Sequence, residues 1–351
     1  MHWRIFKFCS SFIVFLLAGI AFSNKGWLCF LPMIWAYIFI PLLELVVPPN
    51  QLNLSTAEEE LARADRRYDF LLYAVVVCQF ISLGFFLSSL KSTELTAVDI
   101  TGRVLSMGLL CGIFGINVGH ELGHRANQFE QLLAKALLLT SLYMHFFIEH
   151  NKGHHKRVAT DADPASARLG ESVFAFYPRT IFYSYLGAWE IANKEAKRKG
   201  LSIWNWEHEM IQYTLIQFIF IGLIAFIFGT QILGFYLLAA AMGIALLESV
   251  NYIEHYGLRR KEIAPGKFER ALPIHSWNSN HIIGRLTLFE LSRHSDHHYL
   301  ASRKYQVLKH HDDAPQMPTG YPGMMILAHI PPLFFYIMNK QIKRIQPSSI
   351  T

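Results

Sequence analysis

Residues 104–124 read VLSMGLLCGIFGINVGHELGH. Residues 104–119 carry no charge, and an uncharged apolar run of this kind belongs in a lipid bilayer or a core. It leads directly into His120-Glu121-Leu122-Gly123-His124. Two histidines four positions apart on a helix project from one face, within reach of a single ligand. An apolar span that delivers paired imidazoles at its end is the pattern from which the rest of the chain can be read.

Five more apolar runs flank it, at residues 5–22, 27–47, 70–90, 211–228 and 232–250. A bilayer core of about 30 Å needs roughly 20 apolar residues per helix, so six transmembrane helices are expected. The composition agrees: 52% of residues are hydrophobic, 14% aromatic and only 17% charged, a balance that disfavours a soluble globular protein. The first run lies behind Arg4 and Lys7 like a signal sequence. A second run follows almost at once with no clear small-residue cleavage site, so an anchor helix is expected. Cys9, Cys29, Cys78 and Cys111 all fall in apolar runs without C-x-x-C spacing, which excludes a disulfide framework, a zinc ribbon and a fused iron–thiolate domain.

The connectors around residues 23–26, 91–102 and 229–231 are short and carry little positive charge beyond Lys25 and Lys91. Nearly all remaining Lys and Arg lie on the opposite side, which the positive-inside rule makes cytoplasmic. The formal net charge of +6 is thereby explained without nucleic acid. The expected fold is an all-α integral-membrane protein, a single membrane-embedded domain over residues 1–351. Residues 120–210 and 251–351, where the histidines concentrate, would form a cytoplasmic histidine-rich cap. Residues 132–147 and 324–338 are apolar but short, with interfacial, re-entrant and buried placements all open. Ser55 followed by Glu58 and Glu59 marks a helix start.

Nine of the 17 histidines fall in four tight groups where apolar runs end. They are His120 and His124; His150, His154 and His155; His255; and His294, His297 and His298. His150 and His154 are four apart, and His294, His297 and His298 follow i, i+3, i+4 spacing, so each set should share a helix face. Such faces can enclose two metal ions, and imidazole suits iron, zinc, copper and nickel alike. His2, His145, His208, His310, His311 and His329 read as solvated or hydrogen-bonded side chains, whereas His275 and His281 are candidates for a supporting role. His-Glu-x-x-His at residues 120–124 is also a zinc-protease signature with Glu121 as base, but that reading leaves the other groups idle. A metal transporter would place its ligands mid-span instead of at span ends.

At these residues the sequence resembles the membrane-bound alkane 1-monooxygenase family, which includes xylene monooxygenase and is akin to the membrane fatty-acid desaturases and hydroxylases. The similarity rests on the three histidine boxes and on residues 251–258 (NYIEHYGL), 275–281 (HSWNSNH), 291–298 (LSRHSDHH), 303–308 (RKYQVL) and 318–323 (PTGYPG). The resemblance implies that all nine grouped histidines ligate two non-haem irons. Ser292 departs from the family's usual glutamine, and Glu290 stands where histidine is expected.

The implied reaction inserts one oxygen atom of O2 into the terminal C–H bond of a medium- or long-chain alkane to give a primary alcohol. Attack on an aromatic methyl group or a fatty acyl chain is the alternative. An unactivated C–H bond is beyond amino-acid acids and bases, so the metal must supply the oxidising power. Metal-bound histidines need a partner on their other nitrogen, and Glu121, Glu254 and Asp296 are the favoured carboxylates; Asp161 and Asp163 read as solvated. Trp35 is the nearest candidate for a bulky second-span residue lining a substrate channel. Counted from Pro41 it is shifted by one residue, and interfacial packing is an equal alternative. The chain has no flavin or dinucleotide motif, and the resemblance implies electrons from a separate rubredoxin and its NAD(P)H-dependent reductase. The expected location is a bacterial inner membrane, with lipid around the spans and the site and both termini cytoplasmic.

Overall fold

The computed structural model describes residues 2–345, with side chains from Arg4 onward. The side chain of His2 and the ends of the 1–351 span therefore lie outside the described residues. The described chain is mostly helical; a two-stranded hairpin, β1 (Glu262–Ala264) and β2 (Lys267–Phe268), is its one sheet. Six described helices are long and apolar enough to cross a membrane: α1 (Arg4–Ser23), α2 (Gly26–Val46), α4 (Arg67–Ser89), α5 (Ala97–Gly123), α9 (Glu209–Phe228) and α10 (Thr230–His255). Between α2 and α4 lies α3 (Thr56–Ala64), begun as expected by a Ser55–Glu58 capping box. All six expected spans are present. Two run further than hydropathy indicated, because polar residues that end an apolar run need not end a helix. α5 continues through His120 and α10 through His255. Large apolar side chains remain exposed on these helices, Phe226 by 89% and Leu45 by 78%, as lipid contact requires.

Packing divides the described chain into two compact units. The first comprises residues up to Ile38, residues 66–151 and residues 185–247. Its helices approach closely where side chains are small. A Cβ on Gly108 would collide with the Met242 side chain and lie 3.0 Å from the Ala239 carbonyl, and one on Gly243 would lie 2.5 Å from Cys111 Cβ. Lipid gives helices no hydrophobic reason to associate, so this close backbone packing supplies the attraction. The short connectors are tied as well. Arg103 donates to the carbonyls of Ser89 and Asn24 at 2.8 Å each. Asp99 accepts from the Gly26 and Thr96 amides. α6 (Gln128–Leu139) folds back on the end of α5, where Gly119 leaves room for Leu138 and the Ala134 carbonyl. The short apolar segment at 132–147 is thus a packed helix and turn, outside the six span-length helices.

The second unit comprises residues 39–65, 152–184 and the chain from Glu248 onward. It contains the start of α8 (Val173–Arg198), the β-hairpin, α11 (Ile282–Thr287), α12 (His294–Tyr299), α13 (Tyr321–Ala328) and α14 (Pro331–Ile345). The other short apolar segment, 324–338, is broken between α13 and α14, and Phe334 and Met338 of α14 are buried. α7, residues 146–157, runs through the boundary between the units and carries the second histidine box.

Candidate metal centre

In the first unit the end of α5 and the start of α7 bring three imidazoles together. The His120 ring centroid lies 4.7 Å from that of His124 and 4.4 Å from that of His150. His124 Nε2 and His150 Nε2 are 3.1 Å apart. Phe146 stacks on His150 at 4.7 Å and walls the cluster on one side. Beside it Gly119, Gly123, Leu138, Phe147, His120 and His150 line a narrow recess too small to hold a water molecule. Glu121 accepts from Arg125 at 2.6 Å, and Arg125 reaches Asp69 at 3.2 Å. A carboxylate held in a buried ion pair is a poor general base, which counts against the protease reading.

In the second unit His154, His255, His294 and His298 form a fully buried quartet whose nearest nitrogens all lie within 4.8 Å of one another. His154 Nε2 is 3.3 Å from His298 Nε2, and His294 Nε2 is 3.2 Å from His255 Nε2. His155 and His297, in the same unit, face each other with Nε2 atoms 3.1 Å apart. Burial pushes the His297 and His298 pKa values well below the ordinary range, and the neighbouring imidazoles push the same way. Rings kept neutral in a dry pocket, with lone pairs converging, are the donor set that a transition metal requires. The residues fit a metal.

Spacing left open which histidines meet: His150 joins the first-unit cluster and His154 the second-unit quartet. Residues His150–His154 form a π-turn. α12 also divides its ligands: His294 and His298 enter the quartet, while His297 turns to His155.

The supporting carboxylates also fall unevenly. Asp163 is buried, not solvated as expected, and its Oδ2 lies 2.9 Å from His154 Nδ1. Burial works against this carboxylate, but His154 and the Ser166 hydroxyl hold its pKa below the usual range. The pairing turns His154 Nε2 toward the other imidazoles of the quartet, where a metal would sit. Asp161, two residues earlier, is solvated as expected and pairs with Arg259 at 3.2 Å. Glu254 Oε2 lies 3.1 Å from His294 Nε2, on the ligating side of that ring, and Tyr321 donates to Glu254 Oε1 at 2.6 Å. Asp296 accepts from Arg303, the Lys309 amide and His311. His275 is engaged by Glu269 and the Leu272 amide, and His281 by Ser279. Trp35 is half-buried and opens a second π-turn, Trp35–Phe39, within α2. Asp163 and Tyr321 are the residues that the sequence did not single out. For Asp163, its position nine residues beyond His154 in a Pro- and Ser-bearing turn was the available signal.

Residues 100–327 match the fatty acid desaturase family. An alkane 1-monooxygenase of Acinetobacter baylyi is 39% identical over 87% of this chain and 75% of its own length. Another from Pseudomonas putida is 38% identical over 92% of this chain and 81% of its own. The chain belongs to the alkane 1-monooxygenase family. A xylene/toluene monooxygenase hydroxylase component of Pseudomonas putida is more distant, at 29% identity over 69% of this chain. As a member of the alkane 1-monooxygenase family the chain is a monooxygenase, an integral-membrane oxidoreductase built around a histidine-rich metal site.

Proposed function

We propose that this enzyme hydroxylates a terminal C–H bond of a medium- or long-chain alkane, using O2 and two irons held by the nine grouped histidines. The observation that carries the reading is the buried quartet with its Asp163 support, one member of which, His255, ends the apolar helix α10. Similarity to alkane 1-monooxygenases over most of the chain supports the substrate class. Bound iron would supply oxygen activation. The chain supplies neutral imidazoles, the tautomer fixed at His154, and a pocket that excludes water from reactive species. A hydrocarbon would enter from the bilayer along the spans, with Trp35 in α2 as the candidate channel residue. Net consumption of two electrons and two protons per O2 calls for an external reductant, assigned here to a rubredoxin and its NAD(P)H-dependent reductase. The concentration of Lys and Arg on the histidine-bearing side supports a cytoplasmic site in a bacterial inner membrane.

Iron-loaded enzyme reconstituted with a rubredoxin system and offered n-alkanes, xylenes and fatty acids tests the reading. Primary alcohols from n-alkanes are expected. Conversion of fatty acyl substrates alone, or formation of double bonds, would contradict it.

A further inference from the structure

Glu290, where the sequence departs from the family pattern, sits in an unusual piece of backbone. Phe289 and Glu290 both adopt left-handed conformations, at φ of 52° and 62°, in the turn between α11 and α12. Side chains rarely occupy this region, so the surroundings must hold them there. Glu290 is 4% exposed, and its Oε2 lies 2.7 Å from Arg285 Nε and 3.9 Å from Arg293 Nε. Both guanidinium groups are themselves buried.

The two arginines converge on one strap of chain beyond α2. Arg285 donates to the Asn50 carbonyl at 2.7 Å. Arg293 donates to the carbonyls of Leu52 at 2.9 Å, Asn50 at 3.3 Å and Leu308 at 2.7 Å. Its neighbour in sequence is His294, the first residue of α12 and a member of the quartet. Carbonyl oxygens satisfy guanidinium hydrogens but do not cancel the charge. Two buried cations side by side need a carboxylate between them.

We propose that Glu290 is a positioning residue for the quartet: by cancelling one of the two charges that Arg285 and Arg293 bring together, it lets Arg293 clamp the 50–53 strap and fix His294. Without Glu290 the arginines repel, Arg293 withdraws from the strap, and the first turn of α12 loosens.

The inference rests on the two-iron reading, and the test separates the two. Full-length enzyme, wild type and variants, is purified in detergent and loaded with 57Fe. Iron per chain and Mössbauer spectra are then recorded. Wild type is expected to hold two irons; a wild type that does not would overturn the two-iron reading itself. Glu290→Gln is expected to fall to about one iron per chain, with the quadrupole doublet of one site lost. Adding Arg285→Gln, which relieves the like-charge contact, should restore the second iron. Glu171→Gln breaks a partly buried pair, with Arg179, and should keep both irons. Two irons with wild-type spectra in Glu290→Gln would overturn the inference, as would equal iron loss in Glu171→Gln. If Glu290→Gln does not yield monodisperse protein, Glu290→Asp decides. Retained iron with one altered doublet supports the clamp, and an unaltered spectrum refutes it.

Discussion

The His154–Asp163 pair shows how one carboxylate can prepare a histidine to bind metal. A ring whose Nδ1–H is held by Asp163 Oδ2 presents Nε2 in a single tautomer and orientation. Asp163→Asn keeps the shape but offers an amide in place of the carboxylate charge, and should weaken iron binding by roughly 10–100-fold. Iron release to a chelator, followed spectroscopically, checks this; wild-type affinity would show that Asp163 only fills space. Asp161 and Asp163 look equivalent in sequence, and tertiary burial alone separates them. The histidine groups were legible because ligand spacing recurs in three of them. Their grouping was not, since residue identities do not say which distant segments meet. His145 carries a second prediction. Its pKa is pushed down to about 3 by burial, with its ring between Tyr143 and Tyr185. A folded pKa below the unfolded value near 6.5 means that the unfolded chain binds the extra proton. The resulting stability is fully present above about pH 6.5 and declines as the pH falls towards 3. Between pH 6.5 and 5 the loss is about 2 kcal/mol. Apoprotein melting in detergent should therefore lose less between pH 7 and 5 in His145→Phe than in wild type; equal losses would contradict the assignment.

At the scale of elements, helix ends matter more than helix middles. α5 and α10 continue past their apolar cores to deliver His120 and His255, and π-turns at Trp35–Phe39, Cys111–Ile116 and His150–His154 rotate the residues beyond them. Hydropathy located all six spans but not these local widenings, because apolar residues tolerate either winding. The small residues have a clearer role. A Cβ at Gly243 would meet Cys111 Cβ at 2.5 Å and the Cys111 carbonyl carbon at 3.2 Å, so α5 and α10 cannot both keep their positions if it is enlarged. Gly243→Val should destabilise the protein by about 1–3 kcal/mol, with a lower melting temperature in detergent as the readout. An unchanged melting temperature would show that the crossing is looser than its geometry indicates.

The whole molecule combines a span region that hydropathy made legible with a histidine-bearing region whose support came from tertiary contacts. Its exposed β-hairpin carries Lys261 and Lys267, and neighbouring Arg260 donates to the Lys156 carbonyl beside His155. Such a basic surface next to the metal ligands suits an acidic electron carrier, and steering of this kind fades with salt. Lys261→Glu with Lys267→Glu should raise the KM for rubredoxin several-fold at low salt while leaving kcat with a saturating donor unchanged. An unaltered KM would place docking elsewhere. The most direct test of the central claim is product analysis after turnover of an n-alkane under 18O2 by the iron-loaded, rubredoxin-coupled enzyme. One 18O atom in the 1-alcohol is the result the account requires. Unlabelled alcohol, or an alkene in its place, would contradict it.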